Sequence, residues 1–126
     1  NTSARISIVD LEDIAAVVAR VLTENRHFGS VYELAGPDPL SQVEVAAILS
    51  ERLGRRVQAV EVDRGEWESN ARKTGMGEQS LITLLKMFEY YDQFGLVGNS
   101  NVLETLLERP ATSFAQFVER SKDRNI

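Results

Sequence analysis

The run from Ser7 to Ala15, Ser-Ile-Val-Asp-Leu-Glu-Asp-Ile-Ala, constrains the fold more than any other feature of the chain. The stretch from Ile6 to Val9 is apolar on both faces, which is typical of a strand buried in a parallel sheet. Asp10 follows as a helix-capping residue, so the strand turns into a helix without a loop. Such a unit belongs in the interior of an α/β domain. We therefore expect the second half of a larger fold, whose first strand lacks neighbours in this chain.

Periodicity and capping residues predict the order βαβα, then β, then mostly helix. Strands are expected at residues 5–9, 31–34 and 57–62, and long helices at 14–22, 41–53 and 81–95. The first helix is expected to bury the stripe Ile14, Val17, Val18, Val21 and Leu22. Ser41 and Glu44 form a capping box, whereas Ser50 in the same helix is expected to be energetically neutral. Two short helices follow, capped by Asn101 and by Ser113; the last is expected to bury Phe114, Phe117 and Val118.

The composition excludes several classes of function. The 14 lysines and arginines against 19 acidic residues leave a net charge of −5, which argues against a nucleic-acid partner. The absence of cysteine excludes disulfides and thiolate metal sites, and it agrees with a reducing cytoplasm. No apolar run is long enough to span a bilayer. We therefore expect a cytoplasmic protein that binds neither nucleic acid nor membranes.

Five segments together resemble the C-terminal part of NmrA-like proteins, which are atypical short-chain dehydrogenases/reductases. These segments are residues 7–15, 31–37, 40–46, 53–55 and 106–118. The resemblance implies an α/β fold: the C-terminal portion of a Rossmann-like parallel sheet with about three short strands in residues 1–62, then a helical substrate-cleft subdomain in 63–126. It also implies that the parent protein binds NAD(P), either to reduce small organic substrates or quinones, or to act as a redox sensor.

The family's cofactor-binding and catalytic motifs have no counterpart in this sequence. Gly75-Met76-Gly77 is the only G-x-G, and it follows a predicted helix rather than a strand. No tyrosine has a lysine four residues after it, so the superfamily's Tyr-x-x-x-Lys pair is absent. We expect this chain alone to bind no cofactor and to catalyse no hydride transfer.

Three other candidate sites have simpler explanations. The single histidine, His27, is expected to be a solvated loop residue, because one histidine without cysteines makes a poor metal site. Asp10, Glu12 and Asp13 are expected to offset the helix dipole rather than bind Mg²⁺, with Asp13 near a capping-box position. Ser100 lacks the second glycine of a nucleophile elbow. We therefore expect no metal site.

The candidate substrate cleft consists of Trp67, Met76, Met87 and Phe88. Trp67 lies after the third predicted strand, where the resemblance implies a helical subdomain over the cleft, although a half-buried core tryptophan is the alternative. The favoured hypothesis is a cleft-forming portion of a reductase or redox sensor that acts on a small molecule. A stand-alone interaction module that works through an open sheet edge is the alternative. Either a second copy or the missing N-terminal half is expected as partner.

Overall fold

The computed structural model describes residues 1–122 and is mainly helical. Its strands and helices follow in chain order: β1 (Ile6–Ser7), α1 (Leu11–Thr23), a 3₁₀ turn (Asn25–His27), β2 (Pro39–Leu40), α2 (Gln42–Leu53), α3 (Arg64–Lys73), α4 (Glu78–Phe94), α5 (Ser100–Leu107) and α6 (Phe114–Lys122). None of the helices in this range is both long and apolar enough to cross a membrane.

The first strand has neighbours on both edges, contrary to expectation. β1 pairs antiparallel with β2, so that Ile6 lies opposite Leu40. On the other edge, the Ser7 amide donates to the Leu96 carbonyl at 2.8 Å, and the Leu96 amide donates to the Arg5 carbonyl at 2.8 Å. The expectation that this strand would be left open was therefore wrong for Ile6 and Ser7, because the chain returns after α4 to pair with them, whereas the predicted strand residues Ile8 and Val9 lie outside β1.

Gly95 makes this return possible. It ends α4 at φ +69°, where L side chains are strained, and a Cβ atom here would lie only 2.6 Å from the Arg5 carbonyl oxygen. A glycine therefore lets the backbone turn and approach β1 closely enough for Leu96 to pair with it.

The parallel sheet of about three strands does not form within residues 1–122. The one sheet there has two strands and is antiparallel. Residues 57–62 form no strand, and neither does the segment Val31–Leu34, although its side chains alternate between exposed and half-buried. No backbone hydrogen bond of Val31–Leu34 is found in the described part of the chain. A strand needs a ladder partner, and the described residues supply none to either segment.

The main core lies between α1 and α5, and α6 packs against α2. The buried members of this core are Val17, Leu103, Leu106 and Ala111. Elements from residues 1–62 and from residues 63–122 therefore pack together. The α6 helix buries Val118, but Phe117 is 38% exposed, which contradicts the expectation that it would be buried.

Helix α1 has two apolar faces, and only one of them is covered. Val17 is 2% exposed, whereas Leu11, Val18 and Leu22 are 77%, 46% and 80% exposed. The last three are spaced seven and four residues apart, which places them on one side of the helix. The single core-facing stripe predicted from the sequence was therefore wrong for Val18 and Leu22. Val17 and Val18 lie about 100° apart around the helix, so the apolar surface of α1 is wider than the side that packs on α5, which is typical of a helix that a further layer covers.

The helix caps agree with the sequence in most cases. The full capping box of Ser41 and Glu44 is confirmed, and Gly54 adopts the left-handed conformation that ends α2. Helix α5 instead begins after Asn99, whose side chain accepts from the Asn101 amide, so the predicted cap at Asn101 was two residues late. Both residues are asparagines, and the sequence alone did not distinguish them.

Candidate functional site

A depression on the described surface lies between α3, α4 and β1. It has a volume of about 710 Å³, which is within the usual range for small-molecule pockets. Its walls are mostly apolar and aromatic. They comprise Asn1, Ala4, Ile6, Gln42, Val62, Arg64, Trp67, Leu85, Met87, Phe88, Glu89, Tyr91, Asp92 and Gln93. We call it the Trp67 cavity.

Two aromatic rings form one wall of the Trp67 cavity. Trp67 on α3 and Phe88 on α4 have ring centroids 5.0 Å apart and ring planes at 84°, an edge-to-face arrangement. Asp63 fixes the start of α3, because its carboxylate accepts from the Glu66 amide at 3.0 Å. Trp67 follows one turn later and is half-buried. The packing of α3 on α4 therefore sets both rings side by side.

The structure brings three of the four candidate cleft residues together. Trp67, Met87 and Phe88 all line the cavity. Met76 does not line it: it lies in the turn between α3 and α4, where its amide donates to the Ala71 carbonyl at 3.1 Å. Sequence reasoning missed the contributions of Ile6, Gln42 and other lining residues, because they come from distant segments that only the fold brings together.

The polar groups of the cavity lie mainly at its rim and are paired. Arg64 Nε lies 3.7 Å from Glu68, and Arg64 Nη1 lies 4.0 Å from Glu89. The Asn1 side-chain amide donates to the Asp92 carbonyl at 3.1 Å. The Gln42 amide group and the Tyr91 phenol also line the cavity and could orient a ligand by hydrogen bonds. This arrangement suits a flat apolar molecule with few polar groups.

The acidic residues at the start of α1 have structural roles. Asp10 caps the helix by accepting from the Glu12 amide at 2.8 Å, and it pairs with Arg120 at 2.6 Å. Asp13 is 1% exposed and accepts from Arg109 and from the Thr112 amide, each at 2.6 Å. The near capping-box role predicted for Asp13 was therefore wrong, because its carboxylate points to the segment before α6.

Hydrogen bonds dominate the charge state of Asp13. Burial raises the pKa of its carboxyl group. The hydrogen bonds from the Thr112 amide, the Arg109 guanidinium and the Thr112 hydroxyl together lower this pKa by more than burial raises it. The net result is a pKa below the ordinary value of 3.8. Asp13 is therefore a charged, fully hydrogen-bonded anchor rather than a free base.

His27 is buried, which contradicts the expectation of a solvated loop residue. It is 7% exposed, and its Nδ1 lies 2.8 Å from the Tyr32 hydroxyl. Its Nε2 lies 3.3 Å from Glu24, which also pairs with Arg26 at 2.6 Å. The polar neighbours in sequence suggested solvent, but the 3₁₀ turn directs the ring inward against Tyr32. The cluster ties the end of α1 to the segment Val31–Leu34.

The described residues do not fit a dinucleotide pyrophosphate. Gly75-Met76-Gly77 joins helix α3 to helix α4, so no strand leads into it as the phosphate-binding turn requires. Lys86 and Tyr90 lie on α4 in the reverse order of the catalytic pair. No group of three or more acidic, histidine or cysteine side chains suited to a metal ion occurs within residues 1–122.

Comparison with known proteins gives one family. The model described as the NmrA-like family matches residues 1–125. The NAD(P)H azoreductase of Xenophilus azovorans is 31% identical over 115 residues, which are 91% of this chain and 40% of that protein. Quinone oxidoreductase 2 of Escherichia coli K12 is 28% identical over 114 residues, again 90% of this chain and 40% of the relative.

Solved structures give the same result. The NADPH-dependent quinone oxidoreductase of Escherichia coli, in complex with NADPH, superposes with a TM-score of 0.76 at 27% identity. The match covers 94% of this chain and 42% of that one. This chain therefore has an α/β fold of the same type and corresponds to the C-terminal part of such proteins, spanning about 40% of their length.

Proposed function

The chain belongs to the NmrA-like family, and we propose that it forms the substrate-cleft portion of an NAD(P)-dependent reductase or redox sensor. The observation that carries the proposal is the Trp67 cavity, in which an edge-to-face aromatic pair lines a space of about 710 Å³. The relatives named as azo and quinone reductases act on small organic molecules, and the cavity suits a flat aromatic ring of that kind.

The cofactor would be held by a part of the parent protein that this chain does not contain. The uncovered apolar side of α1, formed by Leu11, Val18 and Leu22, supports this proposal. So does the segment Val31–Leu34, whose backbone finds no partner within residues 1–122. A dinucleotide-binding half could cover the helix and pair with the segment. The lack of cysteine supports a cytoplasmic location for the parent.

Calorimetry with NADPH tests the proposal. The 126-residue chain alone should show no binding tighter than about 10 μM, or about −7 kcal/mol, because it lacks a glycine-rich turn for the pyrophosphate. A longer polypeptide read from the same reading frame should bind NADPH well below that value. Tight binding of NADPH to the 126-residue chain alone would refute the proposal that another part of the protein holds the cofactor.

The second candidate function is a stand-alone interaction module. The unpaired backbone of Val31–Leu34 favours it, because such an edge is a template for a strand from another chain. Phe28 and Val31, at 98% and 96% exposed, add apolar surface nearby. In this case we expect a second copy as the partner in the absence of any other.

Sedimentation at tens of micromolar distinguishes the two functions. Two results together would favour the interaction module. The 126-residue chain would form a stable dimer that Val31→Lys converts to a monomer, and the longer polypeptide would dimerise in the same way without binding NADPH. Glu51→Lys, on the exposed surface of α2, is the control for added charge. A dimer that disappears when the longer polypeptide is used would instead favour the cleft-forming role, since the missing half would then cover the same surface.

A further inference from the structure

The rim of the Trp67 cavity carries more negative than positive charge. The carboxylates of Glu89 and Asp92 belong to its lining, whereas the Arg64 guanidinium is the one cationic side chain of that lining and also pairs with Glu68. The cavity therefore offers an acidic entrance to an otherwise apolar space.

The Arg64 guanidinium is already engaged by carboxylates, because it is shared between Glu68 and Glu89. An anionic ligand would have to displace these carboxylates before it could use this positive group. The side chains of Glu89 and Asp92 are 68% and 50% exposed, so a cation at the entrance can approach them from the solvent side.

We infer, on the basis of the proposed function, that this cleft selects aromatic ligands by charge and prefers rings that carry a positive group. The acidic rim attracts a cation through charge, and a cation that lies over a ring face of Trp67 or Phe88 is attracted by the ring quadrupole as well. The same two features oppose a ring that carries a sulfonate or carboxylate. A neutral ring lies between these two cases, because only apolar contact acts on it.

Three probes of equal ring size test this inference on the 126-residue chain. They are 2-naphthyltrimethylammonium, 2-naphthol and naphthalene-2-sulfonate. Trp67 is the only tryptophan, so its indole N–H resonance in a ¹⁵N correlation spectrum reports on the cavity directly. We expect dissociation constants that rise in the order cation, neutral, anion, with the cation bound about tenfold more tightly than the sulfonate, as a few exposed charge contacts would give.

Matched variants test whether the carboxylates of the rim cause this order of probe affinities. The double variant Glu89→Gln/Asp92→Asn should reduce the preference for the cation to about threefold or less, whereas Glu51→Gln on the exposed surface of α2 should leave it unchanged. Raising the salt concentration to about 0.5 M should reduce the preference as well, since exposed charges are screened. Dispersed spectra for both variants show that each remains folded.

The possible failures separate the two proposals. If the sulfonate binds as tightly as the cation, or the double variant keeps the full preference, the inference about charge is overturned while the cleft itself stands. If none of the three probes moves the Trp67 resonance at millimolar concentration, the cavity is not a ligand site, and the proposed function is overturned together with the charge preference.

Discussion

Asp13 is the residue that does most to hold the two ends of the described chain together. Its carboxylate lies at the start of α1 and is 1% exposed, yet it accepts three hydrogen bonds from Arg109 and Thr112, almost a hundred residues later. Hydrogen bonds to a buried charged group contribute more than neutral ones. This contact fixes the segment before α6 against the first helix, and so holds the core between α1 and α5 closed.

We predict that Asp13→Asn lowers the free energy of unfolding by about 2–3 kcal/mol, because the amide cannot accept from both partners as the carboxylate does. Urea denaturation at neutral pH measures the loss. Asp38→Asn, at an exposed position with no such contact described, is the matched control and should change stability by less than about 0.5 kcal/mol. Equal small effects of both substitutions would show that the contact contributes little.

The pH dependence follows from the same carboxylate. Its pKa in the folded protein lies below 3.8, so its contribution is fully present above the unfolded value and is lost as the pH falls through the folded value. Stability should therefore fall as the pH drops below about 4, and this part of the fall should be absent in Asp13→Asn. Parallel stability curves for the two proteins over this range would contradict the assignment.

Among the helices, α2 shows how side chains connect one element to the next. Ser41 Oγ accepts from the Glu44 amide, and the Glu44 carboxylate accepts from the Ser41 amide at 2.8 Å. The hydrogen bonds that the Ser41 backbone and side chain donate to the Glu44 carboxylate lower the pKa of Glu44. Ser50, near the end of the same helix, accepts from the Val57 amide at 2.9 Å and donates to the Ala46 or Val57 carbonyl. These bonds are a reason to expect that Ser50 contributes to stability, contrary to the neutral effect predicted from the sequence.

We predict that Ser41→Ala and Ser50→Ala each lower the free energy of unfolding by about 1 kcal/mol, the first by loss of a cap and the second by leaving the Val57 amide without its partner. Ser80→Ala, at an exposed position near the start of α4, is the control and should be near neutral. The shift of the urea midpoint measures all three. A Ser50→Ala protein as stable as the Ser80→Ala control would show that solvent replaces the bond to Val57.

Local sequence predicted most helices and their caps, but it could not predict the sheet. The capping box at Ser41 and the left-handed Gly54 depend on residues within one turn of each other, and both were confirmed. The strand at Val31–Leu34 depends on a partner that residues 1–122 do not provide. The burial of His27 depends on Tyr32 packing against it, and the polar residues around it gave no indication of that contact.

At the scale of the whole molecule, the important feature is that helix α1 has apolar residues on a covered side and on an uncovered side. One side packs on α5 within the chain, and the other leaves Leu22 80% exposed. Leu22 and Phe28 also line one shallow depression, so the uncovered surface continues beyond the helix. Exposed apolar surface of this kind marks an interaction site. Together with a match to about 40% of the relatives' length, it supports a cleft-forming portion that needs a further part for cofactor binding.

Trp67, Met87 and Phe88, three of the four residues predicted for a substrate cleft, line one cavity, and their role in binding a substrate stays a prediction. Trp67 and Phe88 meet because α3 packs on α4. The rest of the cavity could not be predicted, since Ile6 and Gln42 come from β1 and α2, which lie far away in sequence. A cavity assembled from four segments depends on tertiary packing rather than on local pattern.

The most direct test of the central claim is a kinetic comparison of Trp67→Ala with the unchanged residue in the longer polypeptide, with 1,4-naphthoquinone as substrate and NADPH as cofactor. Trp67 lines the cavity, and we propose that the cofactor is held by another part of the protein. We therefore expect KM for the quinone to rise about tenfold or more while the Kd for NADPH stays unchanged. Tyr90→Ala, an exposed aromatic on α4 outside the cavity lining, is the control and should leave both values unchanged. An unchanged KM, or a loss of NADPH binding in a folded Trp67→Ala protein, would contradict the assignment of this chain to the substrate side of the cleft.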